Sequence, residues 1–200
     1  MKCFVLFAAC AVSSLLVSAC FAADDKPLGQ SGEDYARLFL QAADFPAGMK
    51  NVQNSLTKGA DQGDDKYTEL KGQRAGFKVW MHKDDSNPVW RVVDIRFVFP
   101  DADAAKKYLE GSLDSLSEGT PENADAPKVG DDCRVFGPVN PKLKEILGVE
   151  MRAYTYVFRK GNVVVKLFVA EGGSSREKLD SKTVAALAEK VLKRLEDAGK

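Results

Sequence analysis

Residues 151–170 read MRAYTYVFRKGNVVVKLFVA, and this stretch decides the fold. Two runs rich in β-branched and aromatic residues, Met151 to Arg159 and Val163 to Ala170, flank Lys160-Gly161-Asn162. A short glycine-containing connection between such runs is a β-hairpin signal. Side chains alternate across a strand. Met151, Ala153, Thr155 and Val157 therefore share one face, and Arg152, Tyr154, Tyr156 and Phe158 the other. Working outward, Phe77 to His82 and Val89 to Phe99 read as two more strands around the turn cluster Asp84-Asp85-Ser86-Asn87-Pro88. In the longer one Val93, Ile95, Phe97 and Phe99 point one way, and Asp94 and Arg96 point the other. A short strand follows at Cys133–Phe136. Strands joined by short turns imply an antiparallel sheet.

Helices surround these strands in sequence. Asp101 is placed to cap a helix with Ala105, Leu109, Leu113 and Leu116 on one face. The strongest helical stripe is Val184, Leu187, Ala188, Val191, Leu192 and Leu195. Ser31 with Asp34 three residues on starts an N-terminal helix carrying Tyr35, Leu38, Phe39 and Ala42, which ends over Asp44 to Gly48. Residues 51–65 read as loop, with a short helix over Asp64 to Leu70. The expectation is an α+β domain: a single antiparallel sheet of about five strands, with two amphipathic helices on one face. The N-terminal helix and the loop after it should lie over the other face.

The N-terminus reads as an export signal. Met1-Lys2 precedes an apolar run from Cys3 to Val17, then small residues and a polar onset at Asp24. The run is too short for a membrane span. Residues 1–22 are therefore expected as signal peptide, 23–32 as a tether and 33–200 as one domain. Val17-Ser18-Ala19-Cys20 fits a lipobox, with Cys20 as the lipidation site; cleavage after Ala22 fits equally and leaves the protein free. Cleavage before Cys20 removes 19 of the 200 residues and leaves 181, enough for a core without disulfides. With Cys3, Cys10 and Cys20 in the leader, Cys133 is the one mature thiol able to pair, so a disulfide-free monomer is expected. Without Lys2 the chain carries 28 basic and 29 acidic residues, which gives no electrostatic reason for a nucleic-acid partner.

The chemistry-bearing residues are few. His82 is the only histidine, so zinc sites built from several histidines are excluded. No G-x-S-x-G elbow exists for a serine hydrolase. Cys133 with His82 could form a nucleophile–base pair, but a buried structural Cys133 and a solvent-facing His82 are the expectation. Asp61, Asp64 and Asp65 do not match an EF-hand loop. Gly172-Gly173-Ser174-Ser175-Arg176 lacks the lysine of a phosphate-binding loop. No catalytic residue, metal or cofactor is assigned.

One pattern asks for a purpose. Trp80, Trp90, Tyr154, Tyr156 and Phe158, with Phe168 as a further candidate, fall on the sheet face opposite the aliphatic set. Such a face does not stay bare in water. Either the N-terminal helix covers it as a second core layer, or a groove there admits an apolar ligand or partner segment.

Three pieces of sequence resemble known domains. Leu40-Gln41-Ala42-Ala43-Asp44-Phe45-Pro46-Ala47-Gly48-Met49 resembles the Asp-Leu-Pro-x-Gly opening of bacterial extracytoplasmic lipoproteins and sensor-like domains. Gly161-Asn162-Val163-Val164-Val165, followed by the helix Thr183 to Leu195, is similar to the end of the extracellular sensor domain of mycobacterial-type receptor kinases. Phe97-Val98-Phe99-Pro100-Asp101-Ala102-Asp103-Ala104-Ala105, a strand running into a helix, is shared by that group. The resemblance implies an α+β sandwich outside the cytoplasmic membrane, used for binding or sensing. The chain departs from the kinase sensors in lacking their disulfide cysteines, a kinase domain and a transmembrane helix. The expected function is an exported, non-enzymatic binding or interaction module, lipid-anchored or free, taking an apolar small molecule or an envelope protein. An exported hydrolase or isomerase with a site in the same groove, and an envelope structural protein without a small ligand, are the alternatives.

Overall fold

The computed structural model describes residues 28–198 apart from 30, 46, 59–64, 83–87, 140–144, 146–150 and 173–177. The segment expected as signal peptide, Cys20, the 84–87 turn, Asp61, Asp64 and residues 173–176 lie outside the described residues. Six strands are described: β1 Met49–Lys58, β2 Arg74–His82, β3 Arg91–Val98, β4 Asp131–Phe136, β5 Ala153–Lys160 and β6 Val163–Ala170. They form one antiparallel sheet in the order β1-β2-β3-β6-β5-β4. The helices are α1 Gly32–Arg37, α2 Asp65–Glu69, α3 Ala102–Ser117 and α4 Ser181–Ala198, with a 3-10 turn at Ala42–Asp44.

The local signals explain these elements. Lys160 pairs with Val163, so Gly161-Asn162 is a two-residue hairpin turn, and Gly161 takes the positive φ of 55° that such turns require. The buried Asn162 then works outward. Its side chain accepts from Leu28 N at 2.8 Å and donates to Leu28 O at 3.2 Å and Phe99 O at 2.7 Å, tying the chain entry to the hairpin. Ser31 caps α1 through the Asp34 amide at 3.0 Å, and Asp101 caps α3 through the Ala104 amide at 2.8 Å.

The α+β class and the single antiparallel sheet agree with the sequence expectation; two details differ. The sheet has six strands, not about five, because residues 49–58 form β1 where a loop was expected. An edge strand with most of its side chains in water carries little hydrophobic alternation. A register shift between Asn51 and Gln53 breaks what pattern remains.

The second difference is where the helices lie. They divide between the faces instead of sharing one. Val157 packs with Ala105, Leu109 and Leu116 of α3, together with Tyr67 and Val164. Its neighbours Tyr156 and Phe158 pack with Val184, Ala188, Val191 and Leu195 of α4 and with Tyr35, Leu38 and Phe39 of the α1 segment. An amphipathic stripe shows that one side of a helix is buried, not which of two apolar sheet faces receives it. The helical part of the N-terminal segment is also shorter than its periodicity suggests. It stops at Arg37, and Leu38, Phe39 and Leu40 continue as a fully buried non-helical stretch.

Candidate functional site

Two regions of the sheet hold the unusual chemistry. The first is the face under α1 and α4. In β3 the fully buried residues are Val92, Asp94, Arg96 and Val98, while Val93, Ile95 and Phe97 are half-buried. The two sets face opposite ways as the alternation predicts, but the fully buried one is the set that puts a charged pair into the core. Asp94 and Arg96 are both 0 % exposed and contact each other through Asp94 Oδ1 and Arg96 Nη1. The α1 segment closes over them. Leu40 N donates to Asp94 Oδ2 at 2.9 Å, and Tyr35 Oη donates to the Arg96 carbonyl at 3.2 Å. The Arg96 guanidinium lies 5.4 Å from the Phe39 ring centroid, within cation–π range.

Burial pushes the Asp94 carboxyl up, against the pull of Arg96 and the Leu40 amide. It pushes the Arg96 guanidinium down, against the pull of Asp94. Beside this pair Arg194 of α4 donates from Nε to Asp44 Oδ2 at 2.7 Å, and Lys190 donates to the Asp44 carbonyl. Helix α4, the 38–44 segment and the sheet are thus joined by polar contacts as well as by apolar packing.

Four residues of the sequence-derived aromatic set lie in this closed layer. Trp80 and Tyr154 are nearly buried and Tyr156 and Phe158 wholly so. Tyr156 Oη donates to the Ser181 carbonyl at 3.1 Å, at the start of α4, and burial pushes its phenol above the ordinary value. Phe45 packs on Trp80 with centroids 4.9 Å apart. Trp90 is half-buried at the end of β3, with its backbone bonded to Ala170 and His82. Phe168 belongs to the other face, since it pairs with Val93 and Thr155.

Cys133 is free and half-buried, more exposed than expected, and burial pushes its thiol up. His82 is on β2 and Cys133 on β4, with β3, β6 and β5 between them. At about 4.8 Å per strand the two are roughly 19 Å apart, so they cannot act as nucleophile and base.

The second region is the α3 face. There α3 packs on β5 and β6, and α2 covers the end of the sheet at Ala75 and Phe97. Among the described residues the remaining part is incompletely covered, although Val79 at its centre is buried. Phe77 pairs with Ile95, Val93 with Phe168 and Met81 with Arg91, and all six are half-buried. At the α3 border Lys166 Nζ donates to Glu118 Oε1 at 2.5 Å. Glu118 sits just past α3 in the left-handed region at φ 55°, a conformation that costs a non-glycine residue energy. Arg91 Nε is buried and has no hydrogen-bond partner among the described residues. Among the described residues no group of three or more His, Cys, Asp or Glu side chains is placed to hold a metal. Alternation in the sequence marks Val93 and Ile95 as apolar and co-facial, and that pattern does not distinguish a covered strand face from a part-covered one.

No protein-family model matches the chain, and no curated protein matches it in sequence. In structure it is similar to the extracellular domain of PknH from Mycobacterium tuberculosis. The TM-score is 0.59 at 12 % identity, over 86 % of this chain and 99 % of that one. What the two share is the fold, an α+β domain on one antiparallel sheet, in agreement with the resemblance read from the sequence.

Proposed function

We propose that this protein is an exported, non-enzymatic binding module that takes an apolar small molecule on the incompletely covered half of the α3 face. The observation that carries this reading is the group of half-buried apolar residues Phe77, Met81, Val93, Ile95 and Phe168 around the buried Val79, bounded by polar groups at Arg91 and Lys166. Apolar walls with a few placed polar groups are the common composition of small-molecule sites. Export rests on the N-terminal signal and is supported by a fold likeness to a domain whose printed description is extracellular. No helix among the described residues is long and apolar enough to cross a membrane. Attachment would therefore come through an acylated Cys20, and cleavage after Ala22 would leave the protein free; the mass of the mature N-terminus distinguishes the two.

The non-enzymatic reading is supported by the state of the buried ionisable groups. Asp94 pairs with Arg96 inside the closed layer, and the buried Glu171 accepts from the Arg152 and Leu179 amides. Trp80, Tyr154, Tyr156 and Phe158 lie beneath α1 and α4, so a ligand reaches them only by displacing that cover.

The probe for this site is the anionic apolar dye 1-anilinonaphthalene-8-sulfonate. Its fluorescence should rise saturably with the folded protein and lose most of that rise in Ile95→Glu, with the melting temperature little changed. Equal binding by wild type and Ile95→Glu would overturn the assignment.

A further inference from the structure

The proposed ligand site has one charged end. On the α3 face the register sets Lys50, Met81 and Arg91 opposite one another across β1, β2 and β3, so two cations flank Met81. From Arg91 the face runs along β3 through Val93 to Ile95, with Phe168 opposite Val93 on β6 and Phe77 opposite Ile95 on β2. At the far end Lys166, also opposite Ile95, is engaged with Glu118. Among the described residues that β2, β3 and β6 place on this face, none is an aspartate or a glutamate.

Arg91 is the residue that needs a reason. Part-buried arginines elsewhere are paired with aspartates: Arg159 with Asp131 and Asp132, and Arg194 with Asp44. Arg91 is half-buried too, yet among the described residues it has no ion-pair partner, and its Nε is buried without a hydrogen bond. Folded proteins leave few buried donors unpaired, because such a group has lost its water without gaining a partner. A guanidinium offers a planar fork of donors that fits a carboxylate or another oxyanion. An apolar chain lying beside that contact would exclude water and strengthen it. Arg91 to Ile95 spans four residues, roughly 13 Å of strand, the reach of a medium-length acyl chain.

We propose that this site takes a single-chain amphiphile with an anionic headgroup. Arg91 holds the oxyanion, the exposed Lys50 adds attraction from the neighbouring strand, and the chain lies over Val93, Ile95 and Phe168. The assignment rests on the apolar-ligand reading above and names the class of ligand. The test compares two dyes that differ only by the sulfonate: 1-anilinonaphthalene-8-sulfonate and N-phenyl-1-naphthylamine. The mature protein should bind the sulfonate about tenfold more tightly, and the preference should shrink as salt rises. Decanoate should displace either dye at lower concentration than decanol does. Arg91→Leu should remove most of the preference and Arg91→Lys should keep part of it. Lys50→Glu, at an exposed position, should reduce it in the same direction without disturbing the packing. The neutral dye reports the site itself. If Ile95→Glu leaves its binding unchanged, the apolar site is wrong and this proposal falls with it. If Ile95→Glu abolishes that binding while wild type holds both dyes equally, or Arg91→Leu keeps the full preference, the apolar site stands and the anionic headgroup is wrong. Binding to phosphatidylglycerol vesicles without displacement of dye by decanoate would also overturn the proposal and make this face a membrane contact.

Discussion

β3 presents opposite things to its two faces. Toward α1 and α4 it buries an ion pair, Asp94 with Arg96, beneath Phe39 and Leu40, with Arg96 Nε and Nη2 left without a hydrogen-bond partner among the described residues. Toward the α3 side it offers Val93 and Ile95, apolar residues that remain part-exposed. The polar set is sealed and the apolar set is not. A protein folding only to hide hydrophobic area would do the reverse. The difference teaches that residue type along a strand does not decide which face is closed; the helices available to cover it do. α1 and α4 both settle on one face, while among the described residues α3 and α2 leave part of the other half-covered.

Predictions follow from that contrast, the largest on the closed face. Arg96→Leu leaves the Asp94 carboxylate buried without its partner and should cost about 3–5 kcal/mol in urea denaturation. The double change Asp94→Leu, Arg96→Leu should recover a large part of the loss. If the single variant costs less than about 1 kcal/mol, a surface-pair magnitude, the α1 segment does not seal the pair.

Tyr156→Ala removes a wholly buried ring and its bond to Ser181, and should cost about 2–5 kcal/mol by the same measurement. A near-zero cost would mean the aromatic layer has room to spare, which would revive the groove reading for Trp80, Tyr154 and Phe158.

A pH dependence sharpens the same point. Burial raises the Tyr35 and Tyr156 phenols above their ordinary value. A raised folded value means the native state holds these protons more tightly than the unfolded state does. Their contribution to stability is therefore complete below pH of about 10 and is lost as pH rises beyond it. Ultraviolet titration should show these phenols ionising late, together with unfolding. Ionisation near the ordinary value in the still-folded protein would show that water reaches the layer.

The open half should tolerate change better. Ile95→Glu places a charge on a half-buried position and should cost about 1 kcal/mol or less. A loss as large as that of Tyr156→Ala would mean this face is core as well.

Much of the fold was legible because strong local signals agreed with one another. The hairpin over Met151 to Ala170, the Asp101 cap and the stripe from Val184 to Leu195 all appear where the sequence puts them. β1 was not legible, because Asn51, Gln53 and Asn54 face water and its main support is backbone pairing with β2. The candidate site was half legible. Alternation sorted Val93 and Ile95 from Asp94 and Arg96 correctly, but covering the polar set depends on Leu40 meeting Asp94 across 54 residues of sequence. Periodicity within a strand carries no trace of such a contact.

Chemical-shift mapping with the anilinonaphthalene dye tests the division between the faces most directly, because both faces are read in one titration. Saturable shifts should centre on Phe77, Val93, Ile95 and Phe168 and leave Tyr154, Tyr156 and Phe158 in place. Shifts centred on Trp80, Tyr154, Tyr156 and Phe158, with the Ile95 strip unmoved, would contradict it and return the binding surface to the aromatic face.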